Sequence, residues 1–213
     1  RSAKLLRISR TTVVRKFLFL ALCARTENIK TNLGFYNEDE VQFDDLETIE
    51  HTKCKPLSVA MAVDKKTRRI LAFAVSQMPA KGHLAKIARK KYGYRSDERE
   101  SGWSKLFIEL RQNMRSGTCL RSDSNPHYPR MVKAFCPKSE HLTVMGQRGC
   151  VAGQGELKKV AFDPLFSLNH TFAMCRANIN RLFRKTWCTT KRPDRLAAHI
   201  ELYMNYHNKH LIT

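Results

Sequence analysis

The chain is short of acids. Nineteen Asp and Glu stand against 39 Lys and Arg in 213 residues, a net charge of +20. That imbalance excludes an acidic or near-neutral metabolic enzyme and calls for a polyanionic partner, nucleic acid first. Paired cysteines are also lacking. The seven cysteines are odd in number and scattered, with no CxxC spacing, which excludes a disulfide framework and a zinc site. They read as reduced thiols, several of them buried as small hydrophobes. Long apolar runs are missing too. The run at 17–24 has eight residues, where a bilayer span needs about 20, so a cytoplasmic protein is expected. No internal repeat or low-complexity segment occurs. What the chain does have is hydrophobic residues, 42% of the total. That suffices for a real core and argues against disorder. The length suits one domain, alone or with a small appendage.

Charge is unevenly distributed. Residues 1–30 hold eight Lys or Arg and one acid, Glu27, whereas residues 36–50 hold seven acids and no base. An acidic island therefore sits inside a cationic chain.

Periodicity predicts helices at both ends and strands between them. Ser9 is placed to N-cap a helix starting at Arg10, with Val13, Phe17 and Leu20 on one face and Arg10, Thr11, Arg15 and Lys16 outside. Residues 41–44 alternate, while 57–63 and 70–75 are apolar runs rich in strand formers, joined by a DKKT hairpin turn. Helical spacing follows at 103–114, a short strand at 118–122, a short helix at 129–135 and a strand at 141–145. Residues 168–185 and 193–206 are helical again. Three meandering strands followed by alternating helices and strands give a mixed α/β sheet with flanking helices, in the order of the ribonuclease-H-like fold.

In such a sheet Asp44, ending the first strand, and Asp123, ending the fourth, are neighbours at the centre. Two carboxylates there suit a pair of Mg²⁺ ions, which at roughly 3.5–4 Å apart drive phosphoryl transfer. On spacing alone, two turn acids explain the pair equally well. On the helix after the fifth strand, Asn169, Phe172 or Ala173, and Arg176 share a face. Taken singly, Asn169 reads as an N-cap and Arg176 as a solvated charge.

Several stretches together resemble a known family: FDDLETIEHTKCKPLSVAMAVD (43–64), TRRILAFAVSQMPAKGHLA (67–85), LRSDSNPHYP (120–129) and DPLFSLNHTFAMCRANINRLFRKTWCTTKRPDRL (163–196). The chain looks like a bacterial insertion-sequence transposase of the DDE type, close to the insertion-sequence-one group. The resemblance covers nearly the whole length. Asp44-Asp45 matches the first acidic pair, and Asp123 with Tyr128 matches the second acid and its aromatic. Asn169 and Arg176 stand where the family carries a Glu and, seven residues on, a base. The resemblance thus implies catalytic and metal-ligating roles for Asp44, Asp123 and Asn169, in a D-D-N pattern that lacks the third acid. Asp163 and His170 are the alternatives for the third ligand. It implies two Mg²⁺ (or Mn²⁺) ions, double-stranded DNA as substrate at element ends and target, a homodimer on DNA, and a nucleoid-associated location.

The resemblance also reads AKLLRISRTTVVRKF as the second half of a helix-turn-helix, a DNA-binding segment over 1–30 ahead of a catalytic domain over 38–213. With Arg at residue 1, the module is expected to continue upstream. Arg10, Thr11 and Thr12 would approach base edges and Arg15 and Lys16 phosphates; an amphipathic helical hairpin is the plain alternative. A second basic run, 81–95, carries Lys81, Lys86, Arg89, Lys90, Lys91 and Arg95, with Tyr92 and Tyr94 interleaved for stacking on bases, or else forms a solvated loop. A third cluster holds Arg181, Arg184, Lys185, Lys191 and Arg192. The implied chemistry is DNA cleavage to free a 3′-hydroxyl, then strand transfer, with no covalent protein intermediate. The rival readings are a non-catalytic DNA-binding remnant and a ribonuclease-H-fold nuclease.

Overall fold

The computed structural model describes residues 2–33, 39–145, 163–183 and 192–212. At its centre lie five strands: β1 (Glu40–Ile49), β2 (Pro56–Asp64), β3 (Ile70–Gln77), β4 (Cys119–Asp123) and β5 (His141–Val144), in the order β3-β2-β1-β4-β5. β1 to β3 form an antiparallel meander, and β4 and β5 extend the sheet in parallel from β1. This is the ribonuclease-H-like arrangement predicted from the element order. The DKKT turn closes on Asp64, whose Oδ2 accepts the Thr67 N–H at 2.7 Å.

Helices cover both faces of the sheet, so β2 is buried almost throughout and its sequence is a continuous apolar run. α4 (Arg99–Asn113) and α5 (Tyr128–Phe135) pack on one face, where Trp103 and Phe107 meet Val41 and Phe43. α6 (Phe166–Asn178) and α7 (Pro193–Tyr206) pack on the other, with Leu168, Phe172 and Ile200 against Leu46, Val59 and Met61. Cys136 and Cys175 are buried free thiols, and all five described cysteines are unpaired. Cys150 and Cys188 lie outside the described residues. No helix among the described residues is long and apolar enough to cross a membrane.

The boundaries differ from the sequence reading most in five places, the first being α4, which begins at Arg99 and not at 103. β1 runs past Asp44 to Ile49, because residues 46–49 keep pairing with β2 up to Ile49 opposite Pro56. Asp44 is therefore mid-strand. α6 stops at Asn178 and a 3₁₀ turn, Asn180–Leu182, follows it. The basic run holds a helix, α3 (Leu84–Tyr92), which the sequence reading passed over although Leu84, Ile87 and Ala88 have helical spacing; only Ala88 of it is buried. Finally, behind a short α1 (Ser2–Leu5), the helix capped by Ser9 runs beyond Leu20, the last position of its predicted face. It continues as α2 (Arg10–Asn32). Ser9 does cap it, accepting the Thr12 N–H at 3.0 Å. Its buried positions are Ala21, Ala24, Asn28 and Asn32, and Phe17 meets His199 of α7 at 4.4 Å between ring centroids. Leu20, expected inside, is 53% exposed.

β3 is an outer strand, and unpaired edges invite aggregation. Here side-chain amides cover its start. Asn32 Nδ2 donates to the Ile70 and Leu71 carbonyls at 3.0 and 3.1 Å, and Asn113 Nδ2 to Leu71 at 3.1 Å. Asn208, in a π-turn (His207–Leu211), accepts the Ile70 N–H and donates to its carbonyl, both at 2.9 Å. Asn32 Oδ1 also accepts from Arg69 Nε at 2.9 Å. Asn32→Ala removes these three hydrogen bonds while the Ile70 and Leu71 carbonyls keep Asn208 and Asn113, and is expected to lower the unfolding free energy by about 1 kcal/mol. Urea denaturation measures it; an unchanged midpoint would show that the amide is dispensable at this edge.

Candidate active site

β1 and β4 run parallel with Gln42 opposite Arg121. Two residues further along that register, Asp44 comes beside Asp123. Side chains alternate along a strand, so Gln42 and Asp44 share a face, and Gln42 shows which one. Its Nε2 donates to the Pro164 carbonyl at 2.9 Å and its Oε1 accepts the Leu168 N–H at 3.2 Å. The face is that of α6, and the start of α6 is fastened two residues from Asp44.

Each carboxyl group is held by one oxygen. Asp44 Oδ1 accepts the Asp45 N–H at 2.7 Å and the Tyr128 hydroxyl at 3.0 Å. Asp123 Oδ1 accepts the Asn125 N–H at 3.0 Å. Among the described residues, neither Oδ2 receives a hydrogen bond. Burial and the facing charge of Asp123 push the Asp44 pKa up to about 7. Burial and the surrounding carboxylates push the Tyr128 phenol upward, so it stays protonated and serves as a donor.

Neighbouring residues brace the pair. Asp45 points to the opposite face, where Trp103 Nε1 donates to both its oxygens at 3.0 Å; burial raises its pKa. At the start of β1, Glu40 accepts from Arg121 Nε and Nη2 at 2.6 and 2.9 Å and from Lys65 at 2.9 Å. Burial opposes the Glu40 charge, but the bonds from Arg121 and Lys65 prevail and its pKa is lowered. The sequence reading missed Gln42, Glu40 and Trp103. Gln42 left one signal, a polar residue between Val41 and Phe43 in a buried strand.

The third position does not close on the pair. Asn169 is exposed, and its Nδ2 donates to Asp163 Oδ2 at 2.9 Å. No hydrogen bond among the described residues joins it to Asp44 or Asp123. His170 turns toward Arg68, with ring nitrogens 3.4 and 3.5 Å from Nη1. Among the described residues no group of three His, Cys, Asp or Glu converges to hold a metal. The donor set among the described residues is two carboxylates.

Of the basic candidates, Arg10, Thr11, Arg15 and Lys16 are exposed on α2, whereas Thr12 is engaged with the cap, its Oγ1 2.8 Å from Ser9 Oγ. Lys86, Lys90 and Lys91 are exposed on α3, and Arg176 is half-buried on α6. Arg95 is a structural clamp: Nη2 meets Glu50 at 2.6 Å and Nε meets the Met78 carbonyl at 3.0 Å. Arg184, Lys185 and Lys191 lie outside the described residues.

The raised Asp44 pKa carries a stability consequence. In the unfolded chain this carboxyl ionises near 4, while in the fold it keeps its proton up to about 7. Its ionisation therefore costs the metal-free fold nothing at pH 4 and progressively more as the pH rises to 7. Asp44→Asn keeps the acceptor for Tyr128 and removes the charge. We expect it to stabilise the metal-free protein at pH 8 by on the order of 2–4 kcal/mol and not at pH 4, read by denaturant titration at both. Glu109, buried beside Glu201, also rises to about 7, so the variant, and not the wild-type profile, isolates Asp44.

No protein-family model matches the chain. No curated protein matches its sequence. Among solved structures it is similar to a chain of the simian T-cell lymphotropic virus intasome in complex with PP2A regulatory subunit B56 gamma, at 13% identity and a TM-score of 0.44. The match covers 84% of this chain, which spans half of that chain.

Proposed function

We propose that the protein is a DDE-type transposase that cuts and joins DNA through metal-dependent phosphoryl transfer. One observation carries the reading. Two carboxylates face each other from β1 and β4 at the centre of a ribonuclease-H-like sheet, each with an oxygen unshared among the described residues, in a chain of net charge +20. The donors fit a hard divalent cation: they are oxygens, and their mutual repulsion is relieved by positive charge. Asp44 and Asp123 would hold Mg²⁺ or Mn²⁺, with Asn169 as the third, uncharged donor. A pair of such ions, when bound, supplies the charge stabilisation that phosphoryl transfer demands.

The chain's own residues do the positioning. The Asp45 N–H, the Tyr128 hydroxyl and the Asn125 N–H fix the two carboxyl groups. Arg176, two turns beyond Asn169, would take a phosphate. So would Arg10, Arg15, Lys16, Lys86, Lys90 and Lys91, and Arg184 and Lys185 if they lie along the same path; Thr11 would approach base edges. Two element ends must be held together, so a homodimer is the working assembly. No Ser, Cys or Tyr nucleophile is required.

Mg²⁺ should raise the melting temperature of the wild type, by the equivalent of about 2.7 kcal/mol at a hundredfold excess over Kd, and leave Asp44→Asn and Asp123→Asn unmoved. On duplexes carrying any inverted repeats found on either side of its gene, the wild type should cut only with Mg²⁺ or Mn²⁺. Asp44→Asn and Asp123→Asn should lose all cutting and Asn169→Ala at least about tenfold, or 1.4 kcal/mol. An Asn169→Ala variant that cuts like its parent moves the third position elsewhere. The lack of a third converging acid among the described residues favours a second reading, a DNA-binding protein without chemistry. It would bind DNA with a steep salt dependence and never cut.

A further inference from the structure

A cavity of about 370 Å³ opens between the β1–β2 turn and α3, at the small end of ligand pockets, which run about 300–1,000 Å³. Pro79 and Ala85 lie in its wall, with Tyr92, Tyr94, Lys55 and Arg89 around them. Lys55 Nζ stands 4.7 Å from the centroid of the Tyr92 ring and Lys91 Nζ 5.5 Å from it. Gly93 ends α3 with φ +78, a conformation glycine adopts without strain, and the turn separates Tyr94 from Tyr92. Tyr94 is 80% exposed and makes no hydrogen bond or ring contact among the described residues. The next residue, Arg95, is pinned to Glu50 and to the Met78 and Pro56 carbonyls. A rigid anchor thus presents an uncovered aromatic ring at the mouth of a cationic cavity.

We infer that this cavity binds one unpaired nucleotide of DNA, its base stacked on Tyr94 and its phosphate held by Lys55 and Arg89. A purely apolar ligand would not need the cations, and a bare anion would not need the rings. A paired base hides its flat face inside the stack, so the guest must be unpaired. The location suits a strand that passes the carboxylates. The cavity lies beyond Ile49, five residues or about 17 Å along β1 from Asp44, which is about five nucleotide steps of 3.4 Å. The inference rests on the DNA reading of the preceding section but not on its chemistry.

The test is fluorescence anisotropy in EDTA with three labelled 20-base-pair duplexes: blunt, with a three-nucleotide 3′ overhang, and with an abasic overhang of equal charge. Base stacking on an aromatic ring is worth about 5- to 100-fold in affinity. We expect the wild type to prefer the overhang over the abasic overhang by at least about fivefold. Tyr94→Ala, a change at an exposed side chain, should erase that preference and leave blunt-duplex affinity within about twofold. Gly93→Ala should weaken the preference too. A Cβ there meets nothing within 4 Å, so only the backbone turn that sets Tyr94 is disturbed. Equal binding of the two overhangs by the wild type, or a preference that survives Tyr94→Ala, overturns the inference. So does competition by free AMP at concentrations matching the overhang, which would make the guest a soluble nucleotide. Because EDTA removes the metal, failure here leaves the cleavage assays unaffected, and failure of cleavage with an intact overhang preference leaves this site standing.

Discussion

Two like charges are held together where β1 and β4 run parallel. In a chain with twice as many bases as acids, no Lys or Arg forms a salt bridge with Asp44 or Asp123 among the described residues. Arg121, the nearest base in β4, is committed to Glu40. The donors that do reach the pair are neutral: two backbone N–H groups and the Tyr128 phenol. Neutral donors orient a carboxylate without cancelling its charge, which leaves the repulsion in place; on the proposed reading a cation would relieve it. Burial enlarges the effect, because low polarity strengthens every unscreened charge.

β1 translates this constraint into architecture through its alternation. Glu40, Gln42 and Asp44 point to one face, where Glu40 holds Arg121 and Lys65 and Gln42 holds the start of α6. Val41, Phe43 and Asp45 point to the other, where Phe43 and Asp45 meet Tyr128 and Trp103. Tyr128 belongs to both halves. Its ring is buried with α4 and α5 while its hydroxyl reaches Asp44. A cavity on the helical side would therefore be felt at the carboxylate.

The sheet was legible because its pattern is apolar. β2, β3 and their turn follow directly from it, and α7 occupies the span that periodicity predicts. The two acids were legible as neighbours only through the order of the elements, since no local pattern encodes the parallel register that brings Asp44 beside Asp123. α2 was legible only at its start. Its buried face beyond Phe17 consists of two alanines and two asparagines, and the asparagines are inside because they hydrogen-bond α7 and the edge of β3. α3 was passed over although Leu84, Ile87, Ala88 and Tyr92 recur at helical spacing, because the Lys and Arg between them read as a basic run. Gln42 and Glu40 looked like surface residues in an acidic island, although their partners lie 122 and 81 positions away in sequence.

The third position of the site is best understood as a pair. Asp163 Oδ1 accepts the Leu165 N–H at 2.9 Å at the start of α6, and its Oδ2 accepts from Asn169. Asp163 is thus occupied with the helix terminus, and with orienting an amide. An Asn whose nitrogen is fixed presents its carbonyl oxygen in a defined direction, the service that outer carboxylates give to ligating side chains. On the proposed reading Asp163 and Asn169 are then not rivals: the acid positions and the amide ligates. The site then carries two negative charges where three acids would carry three. A deficit of one charge weakens binding of a second divalent ion to the protein alone. Mg²⁺ sites commonly combine one or two carboxylates with substrate phosphates, so the phosphodiester itself would complete the charge balance, tying binding of the second ion to the arrival of DNA.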